Sequence, residues 1–357
     1  MLQKKQPKPF QPELNTERWE AKDGEPLLEI RDLNIIYKTD ARTVRAVNKL
    51  NLKLGAGESL GFVGETGAGK TTTALGILRL VPDPPGIIES GQILFEGRDL
   101  LGLEKDEMRQ IRGSRISMIF QDPMTSLNPS MTVGAQIEEV LGLHEKLSGV
   151  DLCERAKHML EVVGIRPERF NDYPHQFSGG MKQRVCIAMA LACNPQMIIA
   201  DEPTTALDVT IQAQVLELMN KLKDEFNTSM LLITHDLGVV AEICDRVAIM
   251  YAGSVVEDGD TDEIYDHPLH PYTRGLFASI PSLDEDVESL HVIPGAPPDP
   301  ADLPSGCCFH PRCPYATERC RKEIPEMRAI SGVDHQLACH YVNEKGEFSG
   351  KEAKADA

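Results

Sequence analysis

Three groups of residues in this chain have types and spacings suited to chemistry. The first is Gly64-Glu65-Thr66-Gly67-Ala68-Gly69-Lys70-Thr71, which satisfies the P-loop pattern. Its glycines let backbone N–H groups turn inward around phosphates, Lys70 reaches the β- and γ-phosphates, and the Thr71 hydroxyl holds Mg²⁺. Thr72 follows at the start of the next element and is counted with the phosphate-binding residues. The second is Met197-Ile198-Ile199-Ala200-Asp201-Glu202, an apolar strand ending in two carboxylates. Beside a P-loop, Asp201 is expected to orient the Mg²⁺ shell and Glu202 to act as general base on the attacking water. The third is a run of cysteines near the C-terminal end: Cys307, Cys308, Cys313, Cys320 and Cys339.

These groups need a scaffold. Ser59–Gly64 reads as a buried strand running directly into the glycine loop, and the segment TTALGILRLV after the loop has helical periodicity, so the loop opens a helix whose dipole favours an anion. Upstream, LLEIRDLNIIY from Leu27 and the alternating stretch Val44–Leu54 suggest a hairpin or small antiparallel sheet. Residues 125–175 carry helical patterns. Beyond them Met197–Asp201, Met230–His235 and Arg246–Tyr251 read as strands alternating with helices, the pattern of a mostly parallel α/β core. Pro294–Pro304 reads as a proline-rich hinge or linker. No internal repeat is visible.

Composition limits the partners. The 357 residues are 41% hydrophobic, enough for one large core with or without a smaller appended unit. The net charge of −18 and an aromatic content of 5% disfavour nucleic acid as principal partner. No run of about 18 apolar residues predicts a membrane span, and the polar stretch Met1–Glu20 lacks the apolar core of a secretory signal. The chain is therefore expected in the cytosol or on the cytoplasmic face of a membrane. In a reducing compartment the cysteine run reads as metal ligands or free thiols.

The segment Phe177-Ser178-Gly179-Gly180-Met181-Lys182-Gln183-Arg184 separates the chain from other P-loop proteins. It resembles the signature of the ABC ATPase family, usually LSGGQ, with Phe177 for Leu and Met181 for Gln. The resemblance implies a P-loop NTPase of ABC cassette type, with a RecA-like core, an antiparallel β subdomain and a helical subdomain. It implies that Ser178, Gly179, Gly180 and Met181 face the nucleotide held by a second ATPase subunit. It further maps Gln121 onto the Q-loop, a contact to Mg²⁺ or water that relays to membrane subunits, and Asp208 in Ala206-Leu207-Asp208 onto the D-loop at the dimer interface. His235 maps onto the switch histidine that senses the γ-phosphate, and Tyr37 onto the aromatic that stacks on adenine. Read alone, a histidine after a strand is more often merely polar and exposed, and a strand tyrosine merely packed.

Two further stretches, His267–Thr273 and Gly306–Tyr315, resemble the C-terminal extension of ATPase subunits of oligopeptide, dipeptide and nickel importers. The implied organisation is a flexible lead-in over 1–26, an ABC ATPase domain over 27–265, the Cys-bearing extension over 266–343 and a disordered tail over 344–357. Four thiolates at wide spacing can wrap a [4Fe–4S] cluster, and the family pattern falls on Cys307, Cys313, Cys320 and Cys339, with Cys308 able to substitute for Cys307. Structural zinc and unmetallated thiols remain open readings, though no CxxC knuckle is present. The resemblance implies ATP and Mg²⁺ as ligands, a second and different ATPase chain, two transmembrane permeases and an extracytoplasmic substrate-binding protein. It favours peptide uptake over nickel or short sugars, and over an exporter. A soluble ABC ATPase of DNA repair or translation is the alternative class, but neither coiled-coil insertions nor a second cassette is visible.

Overall fold

The computed structural model describes residues 24–205, 207–279 and 292–350. Ala206, most of the expected lead-in and the last residues of the expected tail lie outside them. Eight strands form one sheet in the order Arg328–Ala329, His335–Leu337, Ser254–Asp260, Arg246–Tyr251, Ser59–Val63, Ser229–Thr234, Met197–Asp201 and Ile116–Ile119. The last five run parallel to one another. Every residue of Ser59–Val63, Met197–Asp201 and Ser229–Thr234 is buried, as expected for central parallel strands covered on both faces. The other three strands pair antiparallel, and two of them, Arg328–Ala329 and His335–Leu337, come from near the C-terminal end and cover the edge at Ser254–Asp260.

A second, antiparallel sheet has the order Thr43–Leu54, Leu28–Lys38, Gly86–Phe95 and Arg98–Asp99. The first pair is the hairpin expected from the sequence. Gly86–Phe95 is an additional partner on the other side of Leu28–Lys38. Its pattern is broken at Gly91, which has φ 106° and whose Cβ would lie 2.5 Å from the Leu33 Cα, so alternation alone does not reveal it.

The helices Val133–His144, Gly149–Val162 and Gly179–Leu191 form the helical region beside the main sheet. Each begins at a side-chain cap: Thr132, Ser148 and Ser178 accept from the backbone N–H groups of Ala135, Asp151 and Met181, satisfying donors that a helix start leaves unpaired. Their apolar faces bury Ile137, Leu141, Met159, Leu160, Val185 and Leu191 in one large cluster.

The Pro294–Pro304 segment differs from the expected linker. The Pro300 carbonyl accepts the Arg45 N–H at 2.8 Å, and the Pro294 carbonyl accepts from Arg312 Nε at 3.1 Å. Proline-rich chain has no apolar period to signal packing, but its extended carbonyls remain free acceptors, and here they pin it to the body of the protein.

Candidate nucleotide site

The Ser59–Val63 strand delivers the chain into the glycine loop, and the helix Lys70–Ile77 leaves it. Two glycines are required sterically. A Cβ at Gly64 would lie 2.2 Å from the Met250 carbonyl oxygen, and one at Gly69, where φ is 108°, would lie 2.3 Å from that of Ala46. The loop is thus pressed against two neighbouring segments, with no room for a side chain. The Lys70 ammonium is buried and donates to the carbonyls of Gly64 at 2.6 Å and Glu65 at 3.2 Å. Burial lowers its pKa, while the carboxylates of Glu202, Asp201 and Glu65 oppose that shift.

The strand Met197–Asp201 ends beside this loop. The Thr71 hydroxyl donates to Asp201 Oδ1 at 3.2 Å. Burial raises the Asp201 pKa, and the neighbouring Glu202 charge adds to it, against the Thr71 hydrogen bond and the Lys70 charge. Glu202 behaves oppositely. It has φ 44°, a backbone conformation that costs a non-glycine residue free energy and often marks a functional position. Its carboxylate accepts from Gln121 Nε2 at 2.8 Å and Thr205 Oγ1 at 2.9 Å, and Oε1 faces His235 Nδ1 at 3.3 Å. Burial pushes this carboxyl up, but the hydrogen bonds from Thr205 and His235, with the His235 and Lys70 charges, together hold it below the usual range. Glu202 is therefore ionised at neutral pH and aimed as an acceptor.

These residues surround one open cavity of about 480 Å³, lined by Tyr37, Gly67, Lys70, Thr71, Gln121, Glu202 and His235 among others. That volume suits a nucleotide-sized ligand, since such pockets run from roughly 300 to 1,000 Å³. Tyr37 lies at one wall, with its hydroxyl 3.4 Å from Thr72 Oγ1. Glu65 and Ala68 instead line a neighbouring cavity of about 310 Å³ with Pro297–Pro300.

The signature residues stand apart from this cavity. Ser178 caps the helix Gly179–Leu191, and a Cβ at Gly180 would lie 2.4 Å from Ile211 Cγ2. The Met181 thioether accepts from Arg169 Nη1 at 3.3 Å. Asp208 caps the helix Val209–Phe226 through the Ile211 N–H. None of Ser178, Gly179, Gly180, Met181 or Asp208 lines the chain's own nucleotide cavity.

Four of the five C-terminal cysteines converge. Cys307, Cys313, Cys320 and Cys339 line one small cavity of about 20 Å³ with Phe309, His310 and Tyr341, and Cys308 is not among the lining residues. Burial pushes the Cys307 thiol up to about 12 and Cys313 to about 11. Among the described residues, no three His, Cys, Asp or Glu side chains are grouped closely enough to hold a single metal ion.

Sequence reasoning missed three contributors. Thr205 supports Glu202, with the short spacing after the Asp-Glu pair as its only signal. Tyr272 and Arg312, from the C-terminal extension, hold Glu65: the Tyr272 hydroxyl accepts its N–H at 3.0 Å, and Arg312 Nη1 and Nη2 donate to its carboxylate at 2.7 and 2.9 Å. A carboxylate inside an anion-binding loop is the one sequence feature that asks for such a cation.

A parallel-stranded core carrying a phosphate loop, with an ionised glutamate at the end of the strand two places along the sheet, defines a P-loop NTPase core. The comparisons narrow this. Residues 47–205 match the family described as ABC transporter, and residues 256–320 match the oligopeptide/dipeptide transporter C-terminal region. The oligopeptide transport ATP-binding protein OppD of Bacillus subtilis (strain 168) is 54% identical over 88% of this chain and 87% of its own. Its namesake in Escherichia coli (strain K12) is 50% identical over 85% and 90%. The ATP-binding cassette MJ0796, solved as a dimer in a post-hydrolysis state with ADP and Pi, superposes with a TM-score of 0.59 at 30% identity, over 66% of this chain and 98% of that one. The chain belongs to the ABC transporter family, in the branch of the oligopeptide transport ATP-binding subunits, and it is an ABC-type ATPase. Among the described residues no helix is long and apolar enough to cross a membrane.

Proposed function

We propose that the chain binds and hydrolyses ATP to energise the uptake of oligopeptides through a membrane transporter. The observation that carries the reading is the Glu202 carboxylate, held ionised by Thr205, His235 and the Lys70 charge and hydrogen-bonded by Gln121, in the cavity that also contains Lys70 and Thr71. Lys70 and the loop N–H groups bind the phosphates, Tyr37 supports the adenine, and Glu202 takes the proton of the attacking water while His235 and Gln121 fix its orientation. Thr71, Asp201 and Gln121 supply the oxygen donors suited to Mg²⁺, which keeps several waters and needs few protein ligands. When bound, that ion neutralises charge on the phosphates.

The signature residues Ser178, Gly179, Gly180 and Met181 serve the partner's nucleotide, and Asp208 lies at the shared interface. Their absence from the lining of the chain's own cavity supports this reading, as does the dimeric state of the solved cassette MJ0796. The working assembly pairs this chain with a second, different ATPase subunit on the cytoplasmic face of the membrane. Two transmembrane permeases dock near Gln121, and an extracytoplasmic protein delivers the peptide.

Cys307, Cys313, Cys320 and Cys339 would be the ligands of a [4Fe–4S] cluster in the C-terminal region. The donor set fits in number, type and convergence. Bound there, such a cluster would cross-link the loop that carries the four cysteines. The cluster is a structural staple. Cys307 is the ligand and Cys308 is not.

Reconstitution in proteoliposomes with the permeases and the substrate-binding protein tests the function. ATP-dependent accumulation of a labelled oligopeptide is expected, and a Lys70→Ala chain abolishes it. Accumulation that persists with Lys70→Ala, or none with the wild type, contradicts the reading.

A further inference from the structure

Glu65 is an oddity of its position. The loop from Gly64 to Thr71 is an anion cradle, yet its second residue is a carboxylate, and a nucleotide brings several negative charges to the same loop. The structure shows where that charge goes. The Arg312 guanidinium meets the carboxylate in a two-pronged pair, Nη1 to Oε2 at 2.7 Å and Nη2 to Oε1 at 2.9 Å. The Arg312 side chain is 5% exposed and that of Glu65 26%. Nε and Nη2 of the guanidinium also donate to the carbonyls of Pro294 at 3.1 Å and Ile293 at 3.4 Å, and Nη1 donates to the Tyr251 hydroxyl at 3.4 Å. Its orientation is therefore fixed from several sides. On the other side of Glu65, its N–H is held by the fully buried Tyr272. Glu65 lines the cavity beside Pro297–Pro300 rather than the nucleotide cavity.

Arg312 immediately precedes Cys313 and follows Phe309 by three residues. The Phe309 ring packs on both Tyr251 and Tyr272, with centroids at 5.3 and 5.4 Å. The cysteine-bearing loop thus reaches the phosphate loop along one continuous packed path, 247 residues apart in sequence.

We propose that Arg312 is a positioning residue for nucleotide binding: it neutralises Glu65 and turns its carboxylate away from the incoming phosphates. The C-terminal extension is then part of the nucleotide site as well as an appendage to it. A bidentate guanidinium suits the task because it fixes the carboxylate plane as well as its charge.

The inference rests on the reading of residues 64–71 as the phosphate loop, and the test separates the two. Binding of the non-hydrolysable analogue AMPPNP with Mg²⁺ is measured on the full chain by calorimetry at low salt and at 1 M salt. If the wild type does not bind, the phosphate-loop reading falls, and this inference with it. If it binds, Arg312→Gln is expected to weaken binding about ten-fold at low salt, equivalent to about 1.4 kcal/mol. The deficit should shrink to about two-fold at 1 M salt, where the screening length is about 3 Å. Adding Glu65→Gln to Arg312→Gln should restore wild-type affinity to within about three-fold, because the exposed charge is then gone. Arg312→Lys keeps the charge but loses the two-pronged pair and should weaken binding less than Arg312→Gln, by about three-fold, with the loss again reversed by Glu65→Gln, so the inference remains testable if Arg312→Gln does not fold. Unchanged affinity in Arg312→Gln, a loss that Glu65→Gln does not reverse, or an Arg312→Lys chain as weak as Arg312→Gln overturns the inference.

Discussion

The nucleotide cavity and the cysteine cavity sit in one chain but are built on opposite terms. The first is open, about 480 Å³, and its walls present an ammonium, hydroxyls and a carboxylate held ionised. The second is about 20 Å³, and burial keeps thiols such as Cys307 and Cys313 protonated in the free chain. A polar cavity that opens to solvent can exchange ligand on every cycle. A thiol-lined one of about 20 Å³ has no room for a nucleotide-sized ligand. The same contrast separates two adjacent residues. Burial raises Asp201, whereas the hydrogen bonds of Thr205 and His235 lower Glu202, so neighbouring carboxylates are pushed apart in acidity and toward different tasks.

Within the nucleotide cavity the loop geometry is expected to be intolerant of substitution. Gly69→Ala puts a methyl 2.3 Å from the Ala46 oxygen at φ 108°. Strain and overpacking together amount to roughly 2–6 kcal/mol, read as a fall in denaturation midpoint and as lost nucleotide binding. A variant as stable as the wild type means that the loop is not pressed against its neighbours.

On the cysteine side, the proposed cluster predicts about four irons and four sulfides per wild-type chain purified without oxygen, and Cys307→Ser should lose most of both. Cys308→Ser should lose none. Equal losses, or zinc in place of iron, would remove the distinction between the two adjacent cysteines.

The smallest expected effect concerns Asp201. Its raised pKa means that the folded state binds its proton more tightly than the unfolded chain does. Its contribution to stability is therefore present in acid and is lost as pH rises through the folded pKa. For Glu202 the sign is reversed: its contribution is present above the unfolded pKa and is lost as pH falls through the lowered folded one. Asp201→Asn should give a small rise in Tm of the nucleotide-free chain at neutral pH, together with loss of Mg²⁺-dependent turnover. A Tm that falls at neutral pH contradicts the burial argument.

The parts of the nucleotide site built within one strand–loop–helix unit were legible from local pattern. Gly64–Thr71 follows a strand and opens a helix, and Asp201 and Glu202 close another strand. His235 came from the family resemblance, since its place after Ser229–Thr234 does not by itself mark a functional histidine. What escaped was non-local. Gly86–Phe95 hides its strand character behind Gly91, which the close approach of Leu33 requires. Pro294–Pro304 reads as a linker because its contacts are made by carbonyls rather than side chains. Arg312 carries no local sign of its partner, since Glu65 lies at the other end of the chain. The convergence of Cys307, Cys313, Cys320 and Cys339 came from resemblance rather than spacing, and the folded chain sets Cys308 apart from the cavity they line.

The proposed role of Glu202 is to activate water in the cavity it shares with Lys70 and Thr71. It is tested most directly with Glu202→Gln in the full chain together with its ATPase partner, measuring MgATP affinity and single-turnover hydrolysis side by side. General-base removal costs about 10²–10⁴-fold in rate, so turnover should fall by at least that range while affinity stays within about three-fold of the wild type. Hydrolysis persisting near the wild-type rate would contradict the account.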